Sequence, residues 1–198
     1  MTDLYLASKS PRRRELLAQI GVHFQVLDVD VIEARDEQEA PMDYVSRLAS
    51  AKSQAGYDAV LARGVARKPV LGADTIVILG TDVLEKPSGK AQGLAMLRAL
   101  SGRTHQVMTA LAVTSDGRQA LRVVVSEVRF RTLLEDEMER YWNTGEPQGK
   151  AGGYGIQGLA AVFVEHITGS YSGVVGLPLA ETQGLLSDFD IPYWQCEA

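Results

Sequence analysis

Cysteine is almost missing from this sequence: Cys196 is the only one in 198 residues. That excludes an internal disulfide framework and fits a reducing compartment. Positive charge is also short, with 20 Lys and Arg against 25 Asp and Glu and a net charge of −5. A general nucleic-acid binder would be basic over much of its surface, so nucleic acid is not the expected partner. No apolar run approaches the ~18 residues of a membrane span. The short N-terminal LYLA is preceded by Asp3 and followed by no signal-peptide core. A cytoplasmic protein without a membrane partner is therefore expected. Repeats, low-complexity tracts and long linkers are missing too, so a single folded domain over residues 1–198 is expected. What is present is an ordinary composition, 45% hydrophobic and 23% charged, enough for one sizeable core.

Strand and helix signals interleave. DLYLAS reads as a strand, and Ser10-Pro11 then opens a helix whose Leu16, Leu17 and Ile20 share one face before Gly21 closes it. The β-branched FQVLDVDVIE predicts a second strand and the acidic EARDEQEAPMD a loop, followed by a helix through DYVSRLASAKSQA. KPVLGADTIVIL has the length and apolar character of a buried strand. Leu94, Leu97 and Leu100 mark another helix, SDG the turn of a hairpin, EDEMERYW a helix, AVFVEHI a strand, TGSYSGVVG a loop and LPLAETQGLL a last helix. Together they predict an α/β fold, a mixed sheet flanked by helices.

The first helix poses a physical conflict. A helix N-terminus carries roughly half a positive charge, yet Arg12, Arg13 and Arg14 fill its first turn. Free backbone N–H groups, the Ser8 and Ser10 hydroxyls and guanidinium forks would suit phosphate oxygens; a solvated basic patch is the alternative. Asp74 is sharper, because VLGADTIVIL would bury nearly every neighbour, and a buried carboxylate needs a cation, a metal or a turn to cap. Lys52 follows Val45, Leu48 and Ala49 at helical spacing, so it either snorkels from the stripe's edge or reaches the same place as Asp74. Lys86, in LEKPSG, fits either a ligand-carrying loop or a solvated turn, and Glu33 either a divalent ion or water. His105 fits a general base or a satisfied structural histidine.

Six glycines fall between Gly145 and Gly158, so backbone conformation shapes this segment. Its formal G-x-G-x-x-G from Gly153 to Gly158 is followed by the β-rich LAAVFV rather than a helix, which rules out the dinucleotide fingerprint. GEPQGKAG is one residue short of a P-loop and has Ala151 where a magnesium-binding hydroxyl belongs. One basic helix end, two lysines and two carboxylates remain, a set suited to a polyphosphate with a divalent cation and to hydrolysis of a phosphate ester or anhydride.

Six ordered motifs, LASKSPRRRELL, LGADTIVIL, LEKPSG, LSGRTHQVMT, KAGGYGIQG and GSYSGVVGLPL, resemble the Maf family of nucleotide pyrophosphatases over Leu4 to Leu186. The resemblance implies a long twisted mixed sheet in two lobes around a cleft. It also implies hydrolysis of a nucleoside triphosphate between the α and β phosphates with a divalent cation, Mg or Mn, and a homodimer by analogy. Carried over residue by residue, Asp74 would accept a proton from the attacking water and, with Glu33, hold the metal. Ser8, Arg12, Arg13, Lys52 and Lys86 would grip the phosphate chain, and Arg13, Thr75 and Gln157 resemble the specificity set acting on dTTP and UTP. A nucleotide-binding regulator of septum formation with little turnover is the alternative that the same resemblance carries.

Overall fold

Ten residues from Val70 to Leu79 form one continuous strand in which all but Asp74 and Thr75 are buried. The sequence explains both facts, since Val, Leu, Ile and the small Gly72 and Ala73 fill the run and Asp-Thr is its only polar pair. The computed structural model describes residues 2–36 and 38–195; Cys196, on which the redox expectation rests, lies outside the described residues. In chain order the elements are β1 (Leu4–Ala7), α1 (Pro11–Gln19), β2 (Phe24–Val26), α2 (Pro41–Arg63), β3 (Val70–Leu79), β4 (Asp82–Leu84) and α3 (Lys90–Leu100). They continue with β5 (Thr104–Ser115), β6 (Arg118–Phe130), α4 (Glu135–Asn143), β7 (Val164–Thr168), α5 (Tyr171–Val175) and α6 (Leu179–Asp188). The strands make one seven-stranded sheet in the order β2-β1-β3-β5-β6-β7, with β4 paired to β3. It is mixed: β1 runs parallel to β2 and β3, while β4 is antiparallel to β3 and β7 to β6. The expected mixed α/β sheet with flanking helices is what forms.

The chain divides into two compact units: Met1–Asp74 with Thr109–Val124 and Gly176–Ala198, and Thr75–Met108 with Val125–Val175. In the first unit, α2 lies on β1 and β3 through small residues. A β-carbon at Gly56 would come within 2.6 Å of Val70 Cγ1 and 3.0 Å of the Ala7 β-carbon, so only glycine permits the approach. Tyr5, Ala7, Leu27, Tyr57, Val60 and Val70 form an apolar cluster there. α2 opens with Pro41 at its first position and closes at Gly64, whose φ of 62° places it in the left-handed region. A buried polar seam accompanies this packing: the Ser53 and Thr114 hydroxyls lie 2.8 Å apart, and the Gln119 amide donates to both, at 3.2 and 2.8 Å.

The second unit has its own core, in which Leu97, Leu100, Val128 and Phe130 are fully buried with Tyr141, Trp142, Tyr154, Ile156 and Phe163 around them. Each large side chain so buried contributes about 1.5–3 kcal/mol relative to exposure. Gly93 is the close-approach position here, because a β-carbon would collide with the Trp142 ring.

Four elements depart from the sequence reading, the first being α2, which begins at Pro41 inside the expected acidic loop and runs on to Arg63, past the expected DYVSRLASAKSQA. The strand expected over FQVLDVDVIE stops at Val26. β2 pairs only with β1, whose last residue before the turn into α1 is Ala7; past that point β-branched residues have no partner strand, and cross-strand pairing is what stabilises a strand. AVFVEHI begins as a 3-10 turn, Leu159–Phe163, and becomes strand only at Val164. The expected loop TGSYSGVVG contains the short helix α5.

Candidate active site

The three arginines at the start of α1 resolve their conflict by diverging: Arg13 is buried, Arg12 half-buried and Arg14 exposed. Arg13 turns into the first unit, where its Nε donates to the Gly176 carbonyl at 2.8 Å. Its Nη1 donates to the Ala73 carbonyl at 2.8 Å and to Ser8 Oγ at 3.1 Å. The guanidinium therefore ties the end of β1, the middle of β3 and the segment before α6. Burial lowers its pKa, opposed by the charges of Asp74 and Glu33, while Arg12 adds to the lowering. The N-cap differs from expectation. The Ser10 side chain makes no capping bond; instead the Ser10 N–H donates to Ser8 Oγ at 3.3 Å, so Ser8 serves both the helix start and Arg13.

Lys52 reaches inward rather than snorkelling. Its Nζ lies 2.7 Å from Asp74 Oδ1 and 2.6 Å from Glu33 Oε1, and its side chain is only 13% exposed. This answers why a carboxylate interrupts an apolar strand: Asp74 is half-buried and paired with a cation. Glu33 arrives by a different route from the expected strand end, since residues 27–36 are irregular. α2 holds that segment through two side chains. The Tyr44 hydroxyl donates to the Glu33 carbonyl at 2.8 Å. Arg47 forks onto the Glu39 carboxylate at 2.7 and 2.8 Å and donates to the Ala34 carbonyl at 3.1 Å. The same fork holds the Glu39 carboxyl below its ordinary pKa. Neither Tyr44 nor Arg47 was singled out from the sequence, although an aromatic and an arginine one turn apart beside an acidic loop were a visible signal.

Ser8, Arg12, Arg13, Glu33, Lys52 and Asp74 thus belong to the first unit, and the structure brings Ser8 to Arg13 and both carboxylates to Lys52. Thr75, Lys86 and Gln157 belong to the second. Thr75 follows Asp74 on β3, Lys86 is exposed in the irregular segment after β4, and Gln157 is exposed in a turn spanning 156–158. His105 is a structural histidine: it is 2% exposed, its Nε2 lies 2.8 Å from the Tyr154 hydroxyl, and Phe130 meets its ring edge-on at 5.0 Å. Burial drops its pKa to about 4.

Among the described residues no group of three or more His, Cys, Asp or Glu side chains is gathered for a metal. Two carboxylates sharing one cation do fit a hard ion that takes only one or two protein oxygens and completes its shell with phosphate and water, as Mg²⁺ does. No helix among the described residues is long and apolar enough to cross a membrane.

The sheet and these residues define an α/β protein with a buried arginine anchor and a lysine-bridged carboxylate pair. The chain belongs to the Maf family: the model described as "Maf-like protein" matches residues 3–189. It is 58% identical over 194 residues to a dTTP/UTP pyrophosphatase of Saccharophagus degradans, covering 98% of this chain and 91% of the relative. It is 55% identical over 192 residues to one of Alkalilimnicola ehrlichii, covering 96% and 94%. A third, from Escherichia coli O157:H7, is 54% identical over 191 residues, again covering 96% and 94%.

Proposed function

We propose that this protein is a nucleoside triphosphate pyrophosphatase that hydrolyses dTTP and UTP to the monophosphate and pyrophosphate. Near-full-length identity to relatives carrying that name supports the substrate class. The observation that carries the chemistry is the Lys52 ammonium held between Asp74 and Glu33. In the reaction a water oxygen bonds to the α-phosphorus while the bridging α–β P–O bond breaks. Asp74 takes the water's proton, as an ionised carboxylate within reach of a water can. Lys52 and Arg12 supply cationic contacts to the phosphate chain, and Ser8, fixed by Arg13, offers its hydroxyl. Arg13 has two carbonyls and Ser8 as acceptors, so it acts on phosphate largely through Ser8 and through its charge.

Glu33 and Asp74 are the residues that would hold a divalent ion, Mg or Mn, and Lys52 would turn from them to the phosphates as it enters. The ion, when bound, neutralises phosphate charge. In the second unit Thr75 and Gln157 take roles in base selection and Lys86 in phosphate binding, supported by the family resemblance. The Gln157 amide offers both a donor group and an acceptor, the complement of O4 and N3–H on uracil or thymine. Residues 1–198 act as one catalytic domain, supported by the family match over 3–189 and by β3, β5 and β6, each of which contributes residues to both units. A cytoplasmic setting fits one cysteine in 198 residues, and a homodimer follows by analogy.

The test is a panel of dTTP, UTP, CTP, ATP and 7-methyl-GTP with Mg²⁺ or Mn²⁺, followed by pyrophosphate release. Fast release from dTTP and UTP is expected. Stoichiometric nucleotide binding without pyrophosphate would instead favour the alternative, a nucleotide-binding regulator with little turnover.

A further inference from the structure

The turn that presents Gln157 is held by a carboxylate that takes no part in the chemistry above. Its own backbone closes by the Gly158 N–H donating to the Gly155 carbonyl at 3.0 Å, with Ile156 buried in the second unit's core and Gln157 pointing to solvent. On the downstream side, Glu146 Oε2 accepts the Leu159 N–H at 2.8 Å and Oε1 accepts the Ala160 N–H at 3.2 Å. Oε1 also accepts the Tyr141 hydroxyl at 2.9 Å, and that hydroxyl accepts the Gly155 N–H at 3.3 Å on the upstream side. One carboxylate and one phenol thus hold both ends of the turn.

Three further features fix Glu146 itself. Its N–H donates to Thr144 Oγ1 at 3.2 Å, while Thr144 Oγ1 donates to the Tyr141 carbonyl at 2.7 Å. The Lys150 ammonium donates to the Glu146 carbonyl. A β-carbon at Gly158 would sit 2.7 Å from Oε1 and nearer still to Oε2, so the carboxylate lies directly against the turn's backbone. Burial would raise the Glu146 pKa, but the Leu159 N–H, the Tyr141 hydroxyl and the Ala160 N–H outweigh it, and the carboxyl lies below its ordinary value. An ionised carboxylate is an acceptor only, which is what two backbone donors and a phenol require.

We infer that Glu146, together with Tyr141, is the positioning pair for base selection: it clamps the turn over 155–160 so that the Gln157 amide meets the pyrimidine edge in one orientation. The inference rests on the reading of Gln157 in the proposed function. A planar amide discriminates between bases only if its donor and acceptor are held in register, because a turn free to shift lets the amide follow a wrong base. Neither Glu146 nor Tyr141 need touch the nucleotide for this.

The experiment compares the unaltered protein with Glu146→Ala, Glu146→Gln and Tyr141→Phe in steady-state hydrolysis of dTTP, UTP and CTP, and in amide hydrogen exchange. For Glu146→Ala the preference for dTTP over CTP in kcat/KM should fall about tenfold, chiefly through a higher KM for dTTP, while kcat on CTP stays within about twofold. The Leu159 and Ala160 amides should lose protection while those of β3 and β5 keep theirs. Glu146→Gln, which retains one acceptor oxygen, and Tyr141→Phe should fall between, and they carry the test if the alanine variant does not fold. An unchanged dTTP-to-CTP ratio in variants whose Leu159 and Ala160 amides exchange freely would overturn the selectivity role. Retained protection of those amides in Glu146→Ala would overturn the clamp. If the unaltered protein hydrolyses dTTP and CTP equally, the proposed substrate reading fails, the selectivity role fails with it, and the exchange measurement still decides the clamp.

Discussion

Gly72 faces Ala49 so closely that a β-carbon there would come within 2.6 Å of the Ala49 carbonyl oxygen, and nearer still to the Ser53 nitrogen. The atoms it would meet are helix backbone, which cannot rotate away. Gly72 on β3 therefore sets how near α2 lies, and Lys52 stands on the turn of α2 just above it. Gly72→Ala should cost about 1–3 kcal/mol of stability, as overpacking does. It should also reduce dTTP hydrolysis in protein that is still fully folded, because Lys52 is lifted from Asp74. Urea unfolding and activity measured at the same temperature separate the two effects.

Asp74→Asn preserves the shape of β3 and leaves Lys52 its second partner, Glu33, so folding should survive. Loss of the proposed proton acceptor should lower pyrophosphate release from dTTP by about 10²–10⁴-fold, the range general-base catalysis contributes. A kcat within threefold of the unaltered protein would remove Asp74 from that role.

Arg13→Ala has two consequences that differ in kind. It strips the carbonyls of Ala73 and Gly176 of a donor, and an unsatisfied buried polar group costs about 1–3 kcal/mol. It also frees Ser8, so KM for dTTP should rise. Arg13→Lys should recover little, since one ammonium on a flexible stem cannot reproduce a rigid fork onto three acceptors. Thermal unfolding and KM together check this; a KM equal to that of the unaltered protein would make Arg13 a purely structural anchor.

His105 gives a pH dependence of stability with a definite sign. Its pKa is 6.5 as an exposed side chain and about 4 in the folded protein, because burial disfavours the imidazolium. Between those values the unfolded chain binds the extra proton, so stability rises with pH across pH 4 to 6.5 and is lost as the medium is acidified through that window. The shift corresponds to about 3 kcal/mol. Melting temperatures across this window should fall less steeply in His105→Gln. Glu137, held near 2 by its bond to Arg131 and the Leu134 N–H, destabilises the fold on protonation only in the window from 4.5 down to 2.

What could be read from the sequence depended on the range over which each feature is determined. β3 and the Asp116-Gly117 turn were legible because local composition decides them: a long apolar run, and two residues that adopt φ of 40° and 76°. Asp74 was legible for a related reason, since a carboxylate inside such a run demands a partner. The partner was only half legible. Spacing put Lys52 on the apolar stripe but could not say which way it turned, which depended on the approach set by Gly72. β2 is shorter than its own composition suggests because its limit lies in β1, not in its own residues. Glu33 sits where Tyr44 and Arg47 place the irregular segment, contacts between parts of the chain that no local pattern records. Glu146 is not legible for the same reason: its partners at 159 and 160 are backbone amides, which have no sequence identity.

The Lys52 ammonium also determines the starting condition of the protein before any nucleotide arrives. Two carboxylates brought toward a common point would repel each other and spread apart; a tethered counterion from the same chain holds them together at rest. On the proposed reading the acidic seat is preassembled, and an incoming divalent ion would exchange with a resident charge instead of having to draw the seat together. Loading would then amount to swapping one cation for another, which would free Lys52 for the phosphate chain.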